Sequence, residues 1–412
     1  MPEKFKYVII GAGPAGISAC KSIRSIDGTG SILLISKSHP HSQIFLTDIL
    51  FSPDKENEIK RDLNLFKVLG IETLFGERVA DIDPENNILA LENKKIIFEK
   101  LLLSTGSIPA LPRLKGVEEI LTFVSLEDAV KLREILVSVR NVAIVGAGAI
   151  GIELAYALSK KGFYVKLIEL MDRLLPAVLD KKFSEIVEKY LKCKGVELFL
   201  GRSVSEIKQD EGYKILLSDG TTLSADVVVF ATGVKPNISL AKKANLLTNV
   251  GIIVNEYFET SKKNVYAAGD VAESYNFLKK REISYSWFRA CEHGRIAGYN
   301  MAGKKVEYKG DVKGIFIKDI EMPLVSVGLT PIDIEKSDID YVEITYLKGD
   351  IRRTAYFSDD KLVGFVSIGS NRDLASAGIL RKIIRFGSKI KDKNRFIKDP
   401  FIYLAKKIWN YL

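Results

Sequence analysis

Hydrophobic residues along the chain gather into short runs that end in small residues. The first run, Tyr7-Val8-Ile9-Ile10, passes into Gly11-Ala12-Gly13-Pro14-Ala15-Gly16 and then into Ile17 to Ile26, a stretch compatible with a helix. The same design returns later, as Val142-Ala143-Ile144-Val145, then Gly146-Ala147-Gly148-Ala149-Ile150-Gly151, then Ile152 to Ser159. Each copy reads strand, glycine turn, helix, and each is followed by a further β-rich run, Ser31 to Ile35 and Tyr164 to Ile168. The spacing has a physical reason. A first glycine permits a sharp bend, a second lets backbone approach a diphosphate, and a third lets helix and strand pack closely. The start of the helix then offers unpaired N–H groups and a positive dipole end to the phosphates.

Three other apolar runs end in small residues: Leu101-Leu102-Leu103 before Ser104-Thr105-Gly106, Val227 to Phe230 before Ala231-Thr232-Gly233, and Val265-Tyr266-Ala267-Ala268 before Gly269-Asp270. Such strand ends suit a backbone brought close to a ligand. An acid about 20 residues after the glycines usually meets the adenosine ribose hydroxyls, and Glu169 fills that place in the second copy. A carboxylate there repels a 2′-phosphate, so NADH is expected over NADPH. In the first copy Ser36 and Lys37 stand where the acid belongs. A serine still hydrogen-bonds a ribose hydroxyl, but more weakly than a charged group would.

Length and composition set the frame for these motifs. At 412 residues two or three domains are expected, and 47% hydrophobic with 27% charged residues is the balance of a globular protein. The apolar stretch near the N-terminus is too short for a secretory signal, and no run suits a membrane-spanning helix, so the expected location is cytoplasmic. Cys20, Cys193 and Cys291 stand far apart with no C-x-x-C pair, which points to reduced, structural thiols. His39, His41 and His293 have no metal-like spacing, so no metal site is expected. The net charge of +9 is concentrated after Ile379, where ten Lys or Arg face two Asp. No recognition motif accompanies that charge, so nucleic acid is not an expected partner.

With these residues in place, the chain resembles the FAD/NAD-linked reductases of the pyridine nucleotide–disulfide oxidoreductase superfamily. Five elements match in order: Gly11 to Gly16, Ser104 to Gly106, Gly146 to Gly151, Ala231 to Gly233, and Gly269-Asp270. The resemblance implies an α/β fold with two Rossmann-like, doubly wound nucleotide-binding domains and a C-terminal α+β domain. It implies an FAD domain at 1–115 and 239–312, an NAD domain at 116–238, and a closing domain at 313–412 that dimerises or covers the flavin. FAD is then expected at Gly11, Gly13, Pro14, Ala15, Gly16, Ser36, Lys37, Val79, Ser104, Thr105, Gly106, Gly269 and Asp270. NADH is expected at Gly146, Gly148, Ala149, Ile150, Gly151, Glu153, Glu169, Thr232 and Gly233. Glu153 is similar to a glutamate near the nicotinamide ring in ferredoxin-reductase-like members; an acid near a helix start also complements the helix dipole.

The branches of the superfamily reduce different things. Disulfide reductases carry a cysteine pair in the first domain, and NADH oxidases and coenzyme A-disulfide reductases carry one cysteine just after the second strand. The stretch His41 to Leu50 contains none, so a thiol relay is disfavoured. The wording there resembles the flavoprotein portion of nitrite reductases and the rubredoxin reductases, with two departures: Gln43 where arginine is frequent and His293 where glutamine is. Cys20 is expected in the core. Cys291 is either a buried helix residue or, less favoured, a thiol near the flavin.

The expected activity is hydride transfer from NADH to FAD and onward to a small electron-carrier protein of ferredoxin or rubredoxin type, met through opposite charge. Two alternatives stand beside it: an NADH:quinone reductase held at a membrane surface by the tail, and a flavin-bearing subunit of a larger dehydrogenase. In the tail, Ile383, Ile384, Phe386, Ile390, Ile397, Phe401, Leu404, Ile408 and Trp409 alternate with basic residues. Such a pattern packs on the protein's own body or lies in a membrane interface, and packing is the expected use.

Overall fold

The structure, a computed structural model, describes residues 2–59, 63–112, 114, 121–318, 320–336 and 339–409; the side chains of 59 and 406–409 are not part of that description. The domain boundary expected at 115/116 therefore lies outside the described residues. In chain order, β1 (Glu3–Ile10) leads into α1 (Pro14–Ile26), β2 (Ile32–Ser36), β3 (Ile71–Phe75) and β4 (Lys95–Leu103). The pattern restarts with β5 (Asn141–Val145), α2 (Ala149–Lys160), β6 (Tyr164–Glu169), α3 (Lys181–Cys193), β7 (Val196–Leu200) and β8 (Val227–Phe230). There follow β9 (Val265–Ala267) and α4 (Trp287–Met301). The chain closes with β10 (Gly314–Ile317), β11 (Leu324–Gly328), β12 (Val342–Lys348), β13 (Ile351–Ser358), β14 (Lys361–Ile368), α5 (Asn371–Arg385), α6 (Lys393–Lys398) and α7 (Pro400–Trp409).

Two compact units divide the chain. The first comprises Met1–Leu46, Ser52–Ile108 and Val234–Asp311; the second comprises Thr47–Phe51, Pro109–Gly233 and Val312–Leu412. In the first unit the parallel strands run β3-β2-β1-β4, with β9 also parallel to β4 and a hairpin, Asp81–Asp83 and Ile88–Ala90, extending the other side. Each of these central strands is apolar on both faces: Val8, Ile9, Leu33, Leu34, Leu101 and Leu102 are all buried. That is the signature of a sheet covered by helices on both sides.

Helix α4 lies against α1 at a distance only glycine allows. A Cβ on Gly294 would sit 1.9 Å from the Ala15 carbonyl oxygen, and one on Gly298 would sit 2.6 Å from the Ala19 oxygen. This contact turns one face of α4 inward, burying Ala290, His293 and Ala297. Cys291 lies one step around the helix and is only half buried, which corrects the expectation of a buried residue. It lines an open groove of about 350 Å³ with Ser18, Lys21, Ser22, Phe288, Glu292 and Arg295. Cys20, by contrast, is in the core as expected, and burial pushes its thiol up to about 12.

The second unit holds the sheet β7-β6-β5-β8, all parallel, with Leu121–Thr122 beside β8. It also holds an antiparallel sheet in the order β10-β11-β14-β13-β12, covered by α5. Strand β13 escapes a hydropathy reading because it carries Arg353 and Thr354, both buried. Arg353 donates from Nε to Asp373 Oδ2 at 2.5 Å and from Nη1 to the carbonyls of Lys398 at 2.5 Å and Ile397 at 3.3 Å. One buried arginine thus ties β13 to α5 through an ion pair and to the end of α6 through two carbonyl hydrogen bonds. In the tail Ile384, Ile390, Ile397 and Leu404 are buried, while Phe386 and Phe401 are exposed. The side chains of Ile408 and Trp409 lie outside the described residues. Among the described residues no helix is long and apolar enough to cross a membrane.

Removing one partner of a buried ion pair leaves the other uncompensated. Arg353→Ala should therefore lower the stability of this unit by about 3–5 kcal/mol in urea unfolding. Gly378→Ala, on α5 where a Cβ meets nothing within 4 Å, should raise it by up to ~1 kcal/mol.

Candidate nucleotide-binding sites

The two glycine turns are nearly the same object. Gly11 has φ +109° and Gly146 has φ +107°, values closed to residues with a Cβ. Gly13 and Gly148, which cap α1 and α2, have φ/ψ of −77°/−174° and −75°/−174°. A Cβ on Gly16 would come within 1.9 Å of the Gly11 oxygen, and one on Gly151 within 1.9 Å of the Gly146 oxygen. The third glycine of each turn therefore lets the chain fold back on itself. A Cβ on Gly13 or Gly148 would meet nothing within 4 Å. The second glycine thus faces open space at the start of a helix, where N–H groups lack partners. This is room for a diphosphate, and on that observation both turns fit a dinucleotide.

Each turn sits at the point where strand order reverses, between β1 and β4 in the first unit and between β5 and β8 in the second. Ligands of doubly wound sheets bind in the crevice at that point. In the first unit, Ser104 closes the crevice from the far side: its N–H donates to the Ile10 carbonyl at 2.9 Å, and its Oγ donates to those of Ile10 and Gly11 at 2.8 and 3.0 Å. Thr105 Oγ1 donates to the Asn237 carbonyl at 2.9 Å. Gly106 has φ +63°. Ser36 ends β2 half-buried, Lys37 is exposed, and Val79 is buried in the core of the unit. Pro14 and Ala15 open α1.

Gly269 and Asp270 follow β9. Ser107 Oγ donates to Asp270 Oδ2 at 3.0 Å, a partner the motif alone did not reveal. Burial pushes the Asp270 carboxyl up to about 6, opposed by the Ser107 bond and by the charge of Arg289.

In the second unit, Glu169 ends β6 and turns back to the glycine turn. Its Oε2 accepts from Ala147 N at 2.7 Å and its Oε1 from Met171 N at 2.9 Å. The carboxylate is fixed beside the turn rather than left loose at a strand end. Ala149 and Ile150 form the first turn of α2, with Ile150 exposed. Glu153 lies in the second turn of that helix, and its first turn holds no acid. At that distance the helix dipole acts on Glu153 less than on an acid in the first turn. Thr232 and Gly233 are exposed; Thr232 Oγ1 donates to the Ala110 carbonyl at 2.7 Å, and the Gly233 carbonyl accepts from Ala110 N at 2.9 Å.

Residues 5–294 match the family model described as pyridine nucleotide-disulphide oxidoreductase. The chain belongs to this family. Its members are flavoenzymes that use FAD and a pyridine nucleotide, and this chain is an NAD(P)H:acceptor oxidoreductase of that kind. It is 30% identical to a rubredoxin-NAD(+) reductase of Alcanivorax borkumensis, over 77% of this chain and 84% of that one. It is 29% identical to the NADH-dependent phenylglyoxylate dehydrogenase subunit epsilon of Aromatoleum evansii, over 97% and 96% of the two chains. Among solved structures it is similar to a NAD-dependent persulfide reductase from A. fulgidus, with a TM-score of 0.88 and 28% identity over 93% of this chain and 77% of that one.

The family's two binding turns separate binding from folding in a testable way. Gly13→Ala should leave the unfolding temperature within about 2 °C, since its Cβ enters open space, yet weaken FAD binding at least tenfold by fluorescence titration. Gly16→Ala should lower that temperature as well, because its Cβ meets the chain's own backbone.

Proposed function

We propose that the chain takes hydride from NADH and passes electrons, through FAD, to a small electron-carrier protein of rubredoxin or ferredoxin type. The observation that carries this reading is the stretch His41 to Leu50. It folds as a short 3-10 turn, Gln43–Phe45, and a helical turn, Leu46–Ile49, without a sulfur atom in it. A thiol relay at that place is therefore not available, which favours electrons leaving the flavin directly. The likeness to a rubredoxin-NAD(+) reductase supports the same acceptor class.

Bound FAD would supply the redox chemistry, accepting a hydride and yielding electrons onward. The chain's residues do the rest. Gly11, Gly13, Pro14, Ala15 and Gly16 offer main-chain donors to the diphosphate, Ser104, Thr105 and Gly106 shape the opposite wall, and Asp270 accepts from the sugar-alcohol chain. Ser36, Lys37 and Val79 bound the adenosine end. Gly146, Gly148, Ala149, Ile150 and Gly151 do for NADH what the first turn does for FAD, with Glu153, Thr232 and Gly233 at its nicotinamide end. These roles assign FAD to a domain at 1–115 and 239–312 and NADH to one at 116–238, with 313–412 as a closing domain.

Glu169 sets the choice of nucleotide. Its fixed carboxylate meets the ribose hydroxyls of NADH and repels a 2′-phosphate. Glu169→Ser should cut kcat/KM for NADH about tenfold or more and narrow the gap to NADPH, as steady-state kinetics with an artificial acceptor would show.

A second reading rests on the match to subunit epsilon, which spans nearly the whole of both chains. In that case the chain feeds or drains a larger dehydrogenase, and the basic surface near the tail serves assembly. One experiment decides between the two. The purified, FAD-loaded chain should be bleached by NADH without oxygen and should then reduce a rubredoxin or ferredoxin, at a rate that falls as salt rises. Bleaching followed by no transfer to any carrier would instead support the subunit reading.

A further inference from the structure

The turn that carries Asp270 is backed by buried charge that the nucleotide-binding pattern does not require. Arg289, in the first turn of α4, is fully buried. Its Nη1 donates to Glu282 Oε1 at 2.5 Å and its Nη2 to the Tyr275 carbonyl at 3.4 Å. One helical turn on, His293 is also buried, with Nε2 3.1 Å from the Tyr308 hydroxyl and 3.4 Å from Ser274 Oγ. Burial, then the charge of Arg289, hold His293 well below its usual value, so it is neutral. Burial raises the Tyr308 phenol, which is neutral too. Arg289 is therefore the cation of this cluster, with Glu282 and the buried Asp311 as its acids.

The cluster lies directly behind the turn. A Cβ on Gly269 would stand 3.0 Å from the Ala15 Cβ and 3.8 Å from the Ala290 Cβ, so the turn lies flat on α4 beside the residue that follows Arg289. Ser107, after Gly106, hydrogen-bonds Asp270, and Tyr285 before α4 and Arg289 on α4 act on it electrostatically. Arg289 alone of these carries a positive charge. Burying an ion pair seldom adds stability over an apolar pair of the same shape, so the arginine calls for another role.

We propose that Arg289 is a positioning residue for Asp270: the buried guanidinium behind the Gly269–Asp270 turn keeps that side chain a carboxylate, able to accept a hydrogen bond from the sugar-alcohol chain of FAD. This rests on the assignment of FAD to the first glycine turn. The sign follows from the Asp270 value of about 6. Above it the charged acceptor is present; as pH falls through it, the acceptor is protonated and binding weakens. Without the cation the same loss occurs at higher pH.

The test is the FAD dissociation constant of the apoprotein, measured by flavin fluorescence from pH 5 to 8. Wild type should bind about tenfold more weakly at the acid end. Arg289→Met, made alone and with Glu282→Gln to avoid an orphaned acid, should move the midpoint to higher pH, further in the single variant than in the double. Arg289→Lys should restore it, and Asp270→Asn should flatten the profile. A merely structural arginine would weaken binding equally at every pH; an unmoved midpoint in Arg289→Met, or tighter binding on acidification, overturns the proposal. If wild type takes up no FAD at any pH, it is the assignment of the flavin that fails instead.

Discussion

Main chain meeting main chain is the constraint on which the two sites depend. At Gly16 and Gly151 the helix start approaches the carbonyl of its own turn so closely that one methyl group would enter van der Waals space. That approach aims the first N–H groups of α1 and α2 at one spot, with the dipole adding positive potential there. Nothing in the arrangement needs a charged side chain at the diphosphate. Peptide groups aimed in this way can hold a phosphate at any pH, because they do not titrate.

A turn that needs no side chain at a phosphate leaves its side chains free to discriminate. The contrast between the copies shows it. In the second unit Glu169 is held by Ala147 N and Met171 N, so its carboxylate is already oriented beside the turn. In the first, Ser36 stands at the matching strand end and Asp270 arrives from β9, far along the chain. The acid of the second unit thus lies close to its own turn, and that of the first comes from a distant strand. Ser107 and Arg289 are the groups tied to Asp270, one by a hydrogen bond and the other by charge.

The C-terminal part of the second unit solves a different problem. A tail with ten basic residues cannot dock through charge alone, and it docks through Ile384, Ile390, Ile397 and Leu404, locked by the Arg353–Asp373 pair. Basic side chains such as Lys389, Lys391 and Arg395 stay exposed around that apolar seam. Phe386 stays exposed beside them.

The sequence alone was sufficient for whatever repeats at fixed short spacing. The glycine turns, the strands before them and the acid of Glu169 all lie within one crossover, so period and residue type identify them. The parallel sheets were legible because strands covered on both faces are apolar throughout. Contacts between distant segments were not. Ser107 meets Asp270 from a distant segment, and Arg289 and Arg353 are polar residues whose burial depends on an opposite charge brought from elsewhere. Hydropathy reads such residues as exposed, and only the fold supplies the partner that lets them be buried. Likewise the position of Cys291 on a groove rim, and of Glu153 beyond the first turn of its helix, followed from how α4 and α2 begin and turn, which residue spacing by itself left open.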